Sequence, residues 1–266
     1  MAVKIREVWA CNVDREFDYI RSAIDDFPFI SMDTEFPGVV YRHNDRDNVS
    51  PALNYSVLKK NVDALNIIQF GLTLSDSKGN FPSLGSEKYT YIWQFNFKDF
   101  DMSRDSHAPD SVELLRMNGI NFDLFVKAGV DSWRFSELMM SSGLVCNEGV
   151  AWITFHGAYD FGYLLKMLTQ KPLPSELGDF TKLISVFFGK MVFDVKYMIR
   201  FCNGLYGGLE RVAKSLMIER TVGKSHQAGS DSLLTWLVFQ RIRDGYFQHL
   251  GGVNQFAGSY FGLEVS

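Results

Sequence analysis

The stretch "FPFISMDTEFPG", residues 27–38, puts two carboxylates, Asp33 and Glu35, at the end of an apolar run. "PFISM" reads as a β-strand. Residues two apart on a strand share a face and stand about 7 Å apart along it. Like charges on one face repel unless that face is solvent or something positive sits between them. "PFISM" is too apolar for a solvated edge, so a cation becomes the question. A lone D-x-E remains weak evidence, because about one arises by chance in a chain of this size at ordinary composition. A surface pair at a strand end is its bland explanation.

The flanking sequence sets that strand in a sheet. Residues 14–26 carry Phe17, Ile20 and Ile24 at helical spacing and predict a first helix. "YRHNDRDNVSPALNYS" (41–56) reads as a polar loop that enters a short helix around "YSVLKKNVDAL". "NIIQFGLTLSD" (66–76) and "YTYIWQFNF" (89–97) follow as strands, with turn chemistry between them. Three strands so joined suit an antiparallel meander. The second half changes character. Helical patterns at 110–118, 121–128 and 133–142 lead to "VAWITFHG" (150–157), a short strand followed by a helix from about Ala158 to Leu168. An apolar strand around Val192–Val195 precedes another helix. "GGLERVAKSLMI" and "SDSLLTWLVFQRIRDGYF" are amphipathic, the latter with Leu233, Leu234, Leu237 and Val238 on one face. Strands followed by helices imply parallel neighbours with crossovers. The expected fold class is therefore α/β: a mixed sheet, antiparallel first and parallel later, with helices on both faces. Without repeats, low-complexity segments or a long linker, residues 1–266 read as a single domain.

Composition narrows the function classes. The chain is 46% hydrophobic and 22% charged, as ordinary soluble proteins are. Cys11, Cys146 and Cys202 lie far apart without a CxxC pair, which argues against a structural zinc site and for free thiols in a reducing compartment. "MAVKIREVWACNVDREFDYI" lacks the basic start and apolar core of a secretory signal, and no apolar stretch approaches the roughly 18–20 residues that span a bilayer. A soluble intracellular protein with no membrane partner is expected. A net charge of −4 argues against gripping duplex DNA through many phosphates. It leaves room for a short single strand held by metal ions and a few aromatics.

Two further stretches carry acids. "FHGAYDFGYLL" places Asp160 near the start of a helix, where carboxylates are common for capping and dipole reasons. "SHQAGSDSLLTWL" places His226 in a short approach and Asp231 in the first turn of the last strong helix, with Ser230 positioned as its N-cap. Taken singly, each has an ordinary explanation. Together they place four carboxylates on several rigid elements, a nest for hard divalent cations. Four carboxylates can hold two ions roughly 4 Å apart, the arrangement that clamps attacking and leaving oxygens in phosphoryl displacement. A histidine beside them can take the proton of the attacking water.

The order Asp33-x-Glu35, Asp160, His226-x4-Asp231 is similar to that of the DEDDh exonucleases of the ribonuclease H-like fold. "MDTEFPGVV", "IIQFGLT", "WQFNF", "EGVAWITFHGAYDFGYLLK", "FDVKYM" and "HQAGSDSLLT" resemble the Pop/Caf-type deadenylase subunit of the Ccr–Not complex. These strings run from residue 32 to 235, and "IREVW" resembles the family's entry helix. The resemblance implies 3′-to-5′ removal of poly(A) from mRNA with release of AMP, using two divalent cations, Mg²⁺ or Mn²⁺. It implies that Asp33 bridges both ions, that Glu35 and Asp231 complete the water-activating site, and that Asp160 serves the leaving oxygen. His226 is then the general base, and Asp194 is structural. Phe36 is a candidate to press on the terminal base, against a core role. Lys166 is a candidate phosphate contact, against a solvated helix face. The implied partners are the poly(A) tail, the Not-type scaffold and the leucine-rich-repeat deadenylase. The implied location is the cytoplasm, with the nucleus as a second compartment.

"HGAYD", "IIQF" and "RTVGKSHQAGSD" depart from the usual family forms, and none removes a ligand or the base. Two alternatives stay open on sequence: a subunit that chiefly bridges the complex, and an exonuclease acting on other 3′ ends, DNA included.

Overall fold

The residues after Met1 form the edge of a sheet, Ala2–Val8 (β1), and Val13–Ala23 (α1) follows. Next come Phe29–Glu35 (β2), Pro51–Ala64 (α2), Gln69–Ser75 (β3) and Tyr89–Asn96 (β4). Pro109–Met117 (α3), Phe122–Ala128 (α4) and Ser132–Met140 (α5) lead to Ala151–Thr154 (β5) and Ala158–Thr169 (α6). Leu177–Phe188 (α7), Val192–Asp194 (β6), Val195–Met198 (α8), Leu209–Ser215 (α9) and Ala228–Tyr246 (α10) complete the order. The computed structural model describes residues 1–43, 50–248 and 252–264. Part of the polar stretch 41–56, residues 44–49, thus lies outside the described residues.

The strands form one sheet in the order β1-β4-β3-β2-β5-β6. β2 pairs antiparallel with β3, and β3 with β4, which is the expected meander. β2–β5 and β5–β6 are parallel. Alternation along β2 explains its apolar run. Ile30 and Met32 enter a core with Phe17, Ile20 and Phe161, and Phe29 on the opposite face meets Trp236 of α10 at 5.5 Å between rings. Helices thus cover both faces, as expected.

Three expectations need correction. "IREVW" does not open a helix: residues 2–8 are β1, parallel to β4 from Ala2↔Tyr89 to Val8↔Phe95. Arg6 is held there by Glu16, which accepts from its Nε at 2.5 Å and from Trp93 Nε1 at 3.2 Å. The helix after the polar loop starts at Pro51, not Tyr55. Proline suits that first position because its missing N–H has no partner there, and Ser50 Oγ caps the turn by accepting from Leu53 N. Residues 177–188, for which the sequence predicts no element, form α7, which buries Leu177, Phe180, Ile184 and Phe188 at helical spacing.

Candidate active site

The strands of the meander and α10 meet at one glycine. Asp33 stands opposite Gly71 in the β2–β3 register, so the two share a face. A Cβ on Gly71 would lie 1.9 Å from the Ala228 carbonyl oxygen and 2.5 Å from Gly229 N. Only the missing side chain lets the first turn of α10 lie directly on the sheet. The contact continues through small polar side chains. Ser31 Oγ donates to Ser232 O at 2.8 Å, and Thr73 Oγ1 meets Ser232 Oγ at 2.9 Å. The unpaired N–H groups that begin any helix need acceptors. Here Gln69 Oε1 takes Ala228 N at 3.4 Å and Gln94 Oε1 takes Gly229 N at 3.0 Å. These amides are themselves held. Asn96 Oδ1 accepts from Gln69 Nε2 at 2.7 Å, and Glu7 of β1 accepts from Gln94 Nε2 at 3.1 Å and from Asn96 Nδ2 at 2.8 Å.

This seating brings Asp231 over the face that carries Asp33 and Glu35. A cavity of about 440 Å³ is lined by Asp33, Glu35, His226 and Asp231, with Thr34, Phe155, Ser225 and residues 208–211. Ligand atoms of Glu35, His226 and Asp231 all lie within 4.8 Å of one another. His226 adopts the left-handed backbone conformation, φ 59°, and its N–H donates to Asp231 Oδ2 at 2.9 Å. Ser230 is not the expected N-cap. α10 starts two residues earlier, and Ser230 Oγ donates instead to Val222 O at 2.5 Å. Asp160 approaches from the other side of β2. The β2–β5 pairing stops at Ser31↔Ile153, and beyond it the Thr34 N–H donates to Asp160 Oδ1 at 2.7 Å. Thr34 Oγ1 adds a second bond to the same oxygen at 2.6 Å. The carboxylate thus replaces the strand that has ended.

The cluster is short of positive charge. Burial first, then the charges of Asp160, Asp231 and Glu35, push the Asp33 carboxyl well above the usual carboxylate range. Burial and the same neighbours do so for Glu35. Burial lifts Asp160 to about 7 despite the Thr34 hydrogen bonds. Asp231 is raised by burial, against the pull of Arg220, whose Nη2 lies 2.5 Å from Asp231 Oδ1. Arg220 also donates to Glu210 from Nε at 3.1 Å. One guanidinium cannot balance four carboxylates. Hard oxygen donors of β2 and α10 around one cavity, with Asp160 of α6 held beside them by Thr34, fit divalent metal ions.

Of the other candidates, Asp194 is fully buried and structural in its contacts. It caps α8, accepting from Lys196 N at 2.9 Å and His156 N at 2.7 Å on Oδ1, and from Phe261 N at 2.9 Å on Oδ2. Phe36 is half-buried beside the core, stacked on Tyr159 at 5.2 Å and tilted against Tyr163 at 5.0 Å. Lys166 needs correction in both its readings. Its Nζ donates to the carbonyls of Val62 (2.9 Å), Asp63 (3.2 Å) and Leu65 (2.9 Å) at the C-terminal end of α2. An ammonium group has three donors, so nothing remains for a phosphate. Thr34 and Arg220 escaped the sequence reading. The signal for Thr34 was a hydroxyl between two acids; for Arg220, it was a cation inside the unusual approach to His226.

The chain matches the CAF1 family ribonuclease model over residues 8–137 and 132–239. It is 49% identical over 264 residues to the probable CCR4-associated factor 1 homolog 7 of Arabidopsis thaliana, covering 99% of this chain and 94% of that protein. It is 46% identical over 243 residues to the poly(A) ribonuclease pop2 of Schizosaccharomyces pombe, covering 91% of this chain and 70% of that one. Among solved structures, the Mg²⁺- and Mn²⁺-bound form of S. pombe Pop2p superposes with a TM-score of 0.89 at 44% identity, covering 97% and 99% of the two chains. CAF1 crystallised with the yeast NOT1 MIF4G domain gives 0.78 at 31%, covering 97% and 96%. E. coli exonuclease I, at 16% identity and a TM-score of 0.52 over 84% of this chain and 42% of its own, shares the fold alone.

Proposed function

Because the chain belongs to the CAF1 family of ribonucleases, we propose that it is a metal-dependent 3′-to-5′ exoribonuclease that shortens poly(A) and releases AMP. The observation that carries this reading is the convergence of Asp33, Glu35, Asp231 and His226 on one cavity, with Asp160 clamped beside them. Asp33, Glu35, Asp160 and Asp231 would hold two divalent cations, Mg²⁺ or Mn²⁺. When bound, such ions supply charge to the attacking and leaving oxygens of a phosphodiester.

The chain's own residues do the rest. Asp33 and Glu35, fixed by strand alternation, present carboxylates to one cavity. Thr34 turns Asp160 toward the same strand end through two hydrogen bonds to one oxygen. His226 accepts the proton of the attacking water on an imidazole nitrogen, and the backbone bond from its N–H to Asp231 keeps base and carboxylate in register. Among the Pop/Caf-type partners, a Not-type scaffold suits this chain, given the fold it shares with CAF1 bound to NOT1 MIF4G. The leucine-rich-repeat deadenylase and a cytoplasmic and nuclear location complete the proposal.

The test is a time course on 5′-labelled RNA ending in A, U or C tails, with Mg²⁺ or Mn²⁺. Stepwise 3′ shortening, fastest on A, is expected, with loss of turnover on chelation and in Asp33→Ala. Wild-type rates in Asp33→Ala would refute the assignment.

A further inference from the structure

The cavity lining holds a cation that the mechanism above does not use. Asp33, Glu35, Glu210 and Asp231 line the cavity, and Arg211 is the single Lys or Arg among the lining residues. The neighbouring cations are committed. Arg220 is paired with Glu210 and Asp231. Lys196 donates to the Gly207 carbonyl. Arg211 differs: among the described residues no carboxylate is within ion-pair distance of it. Its guanidinium instead lies 3.8 Å over the ring of Tyr206, which is 59% exposed. Such a seat holds the charge in place while leaving its donors free. The turn between them is built for this. Gly207 has φ +97°, and a Cβ there would lie 2.6 Å from Arg211 Cδ. A side chain at 207 would displace the arginine.

An RNA strand entering an acid-lined cavity meets repulsion at every phosphate. Ions held by the four carboxylates would offset it at the scissile phosphate, so the next phosphate needs a counter-charge from the protein. We propose that Arg211, seated on Tyr206, binds the phosphate one nucleotide upstream of the scissile bond, making residues 206–211 a second subsite for the RNA 3′ end. This rests on the ribonuclease reading above.

The test compares the dinucleotide ApA, whose only internucleotide phosphate is the scissile one, with ApApA, which adds one phosphate upstream, using the Mn²⁺-loaded full chain. Wild type should prefer ApApA in kcat/KM. Arg211→Ala should lower that preference about tenfold or more, as loss of a charge-assisted hydrogen bond implies, acting mainly through KM. Arg211→Lys should restore part of it. A neutral methylphosphonate at the upstream linkage should erase the wild-type preference and leave Arg211→Ala unmoved. On longer oligoadenylate, the slope of log affinity against log salt should shrink by about 0.7 in Arg211→Ala. Tyr206→Ala should reproduce the loss in part, and Tyr206→Phe should not. The assignment is overturned if Arg211→Ala keeps the ApApA preference, or loses rate equally on both substrates. A wild type that cleaves neither substrate refutes the ribonuclease reading, and this subsite with it.

Discussion

Gly71→Ala tests whether the seating of α10, rather than the mere presence of its acids, makes the site. The added methyl would stand 1.9 Å from the Ala228 carbonyl oxygen, where ordinary contact begins at 3.4 Å. Both partners are backbone, so no side chain can swing aside. The N-terminus of α10 must retreat by about 1.5 Å, carrying His226 and Asp231 away from Asp33 and Glu35. Overpacking of this kind costs about 1–3 kcal/mol of stability, which a 266-residue fold survives. A displacement of about 1 Å in a catalytic group, by contrast, costs about a hundredfold in rate. The variant should therefore remain folded by circular dichroism and urea titration while losing at least about a hundredfold in kcat on an A-tailed RNA. Mn²⁺ affinity by calorimetry should fall with it. A folded Gly71→Ala that turns over at the wild-type rate would refute the reasoning.

Other expectations follow from single contacts. Thr34→Val keeps the backbone bond to Asp160 but removes the hydroxyl one, and should cost about 10–100-fold in activity or metal affinity, as loss of a group that orients a ligand does; steady-state kinetics and calorimetry check it. Lys166→Met should lower stability by about 1–3 kcal/mol in urea unfolding, because the carbonyls of Val62, Asp63 and Leu65 lose their donor. It should leave KM alone, and a raised KM would return Lys166 to the substrate path. In chelator, stability should fall as pH rises from about 4 to about 7. Asp160 holds its proton up to about 7 when folded but only to 3.8 otherwise, so the folded state binds more protons across that window. About 3 pH units at 1.36 kcal/mol each give roughly 4 kcal/mol. Asp160→Asn should reduce the slope in denaturant titrations at several pH values, leaving the part due to the raised Asp33, Glu35 and Asp231 carboxyls, and Mn²⁺ should stabilise the wild type more at pH 7 than at pH 5.

Much of the site was legible because strand alternation and motif order are local properties of a chain. Asp33 and Glu35 share a face by period two, and Asp160 and Asp231 each follow a recognisable entry into a helix. The meander of β2, β3 and β4 was legible for the same reason, as were the parallel strands behind their crossover helices. What failed depended on distant partners. β1 is half-exposed and has its partner strand about 87 residues away in the register Ala2↔Tyr89, and edge-strand pairing of that kind leaves little trace in the segment itself. Lys166 sits on a helix whose sequence cannot announce the three carbonyls of α2 that absorb it. Ser230 has a capping residue's chemistry, but the Gln69 and Gln94 side chains supply acceptors earlier and pull the helix start back to Ala228. Gly71 looks like any strand glycine until α10 lies on it.

The pairing of β1 with β4 bears on how the enzyme comes into being on the ribosome. Residues 2–8 are made before their partner strand, which ends at Asn96, so β1 waits unpaired while about a hundred residues are made. Glu7 in that segment steadies the amides under α10, and α10 itself starts only at residue 228. β1 and α10, far apart in sequence, must therefore meet before the acids can gather. A growing polypeptide stays inert toward RNA until α10 has been made, and fragments truncated before α10 should carry no nuclease activity.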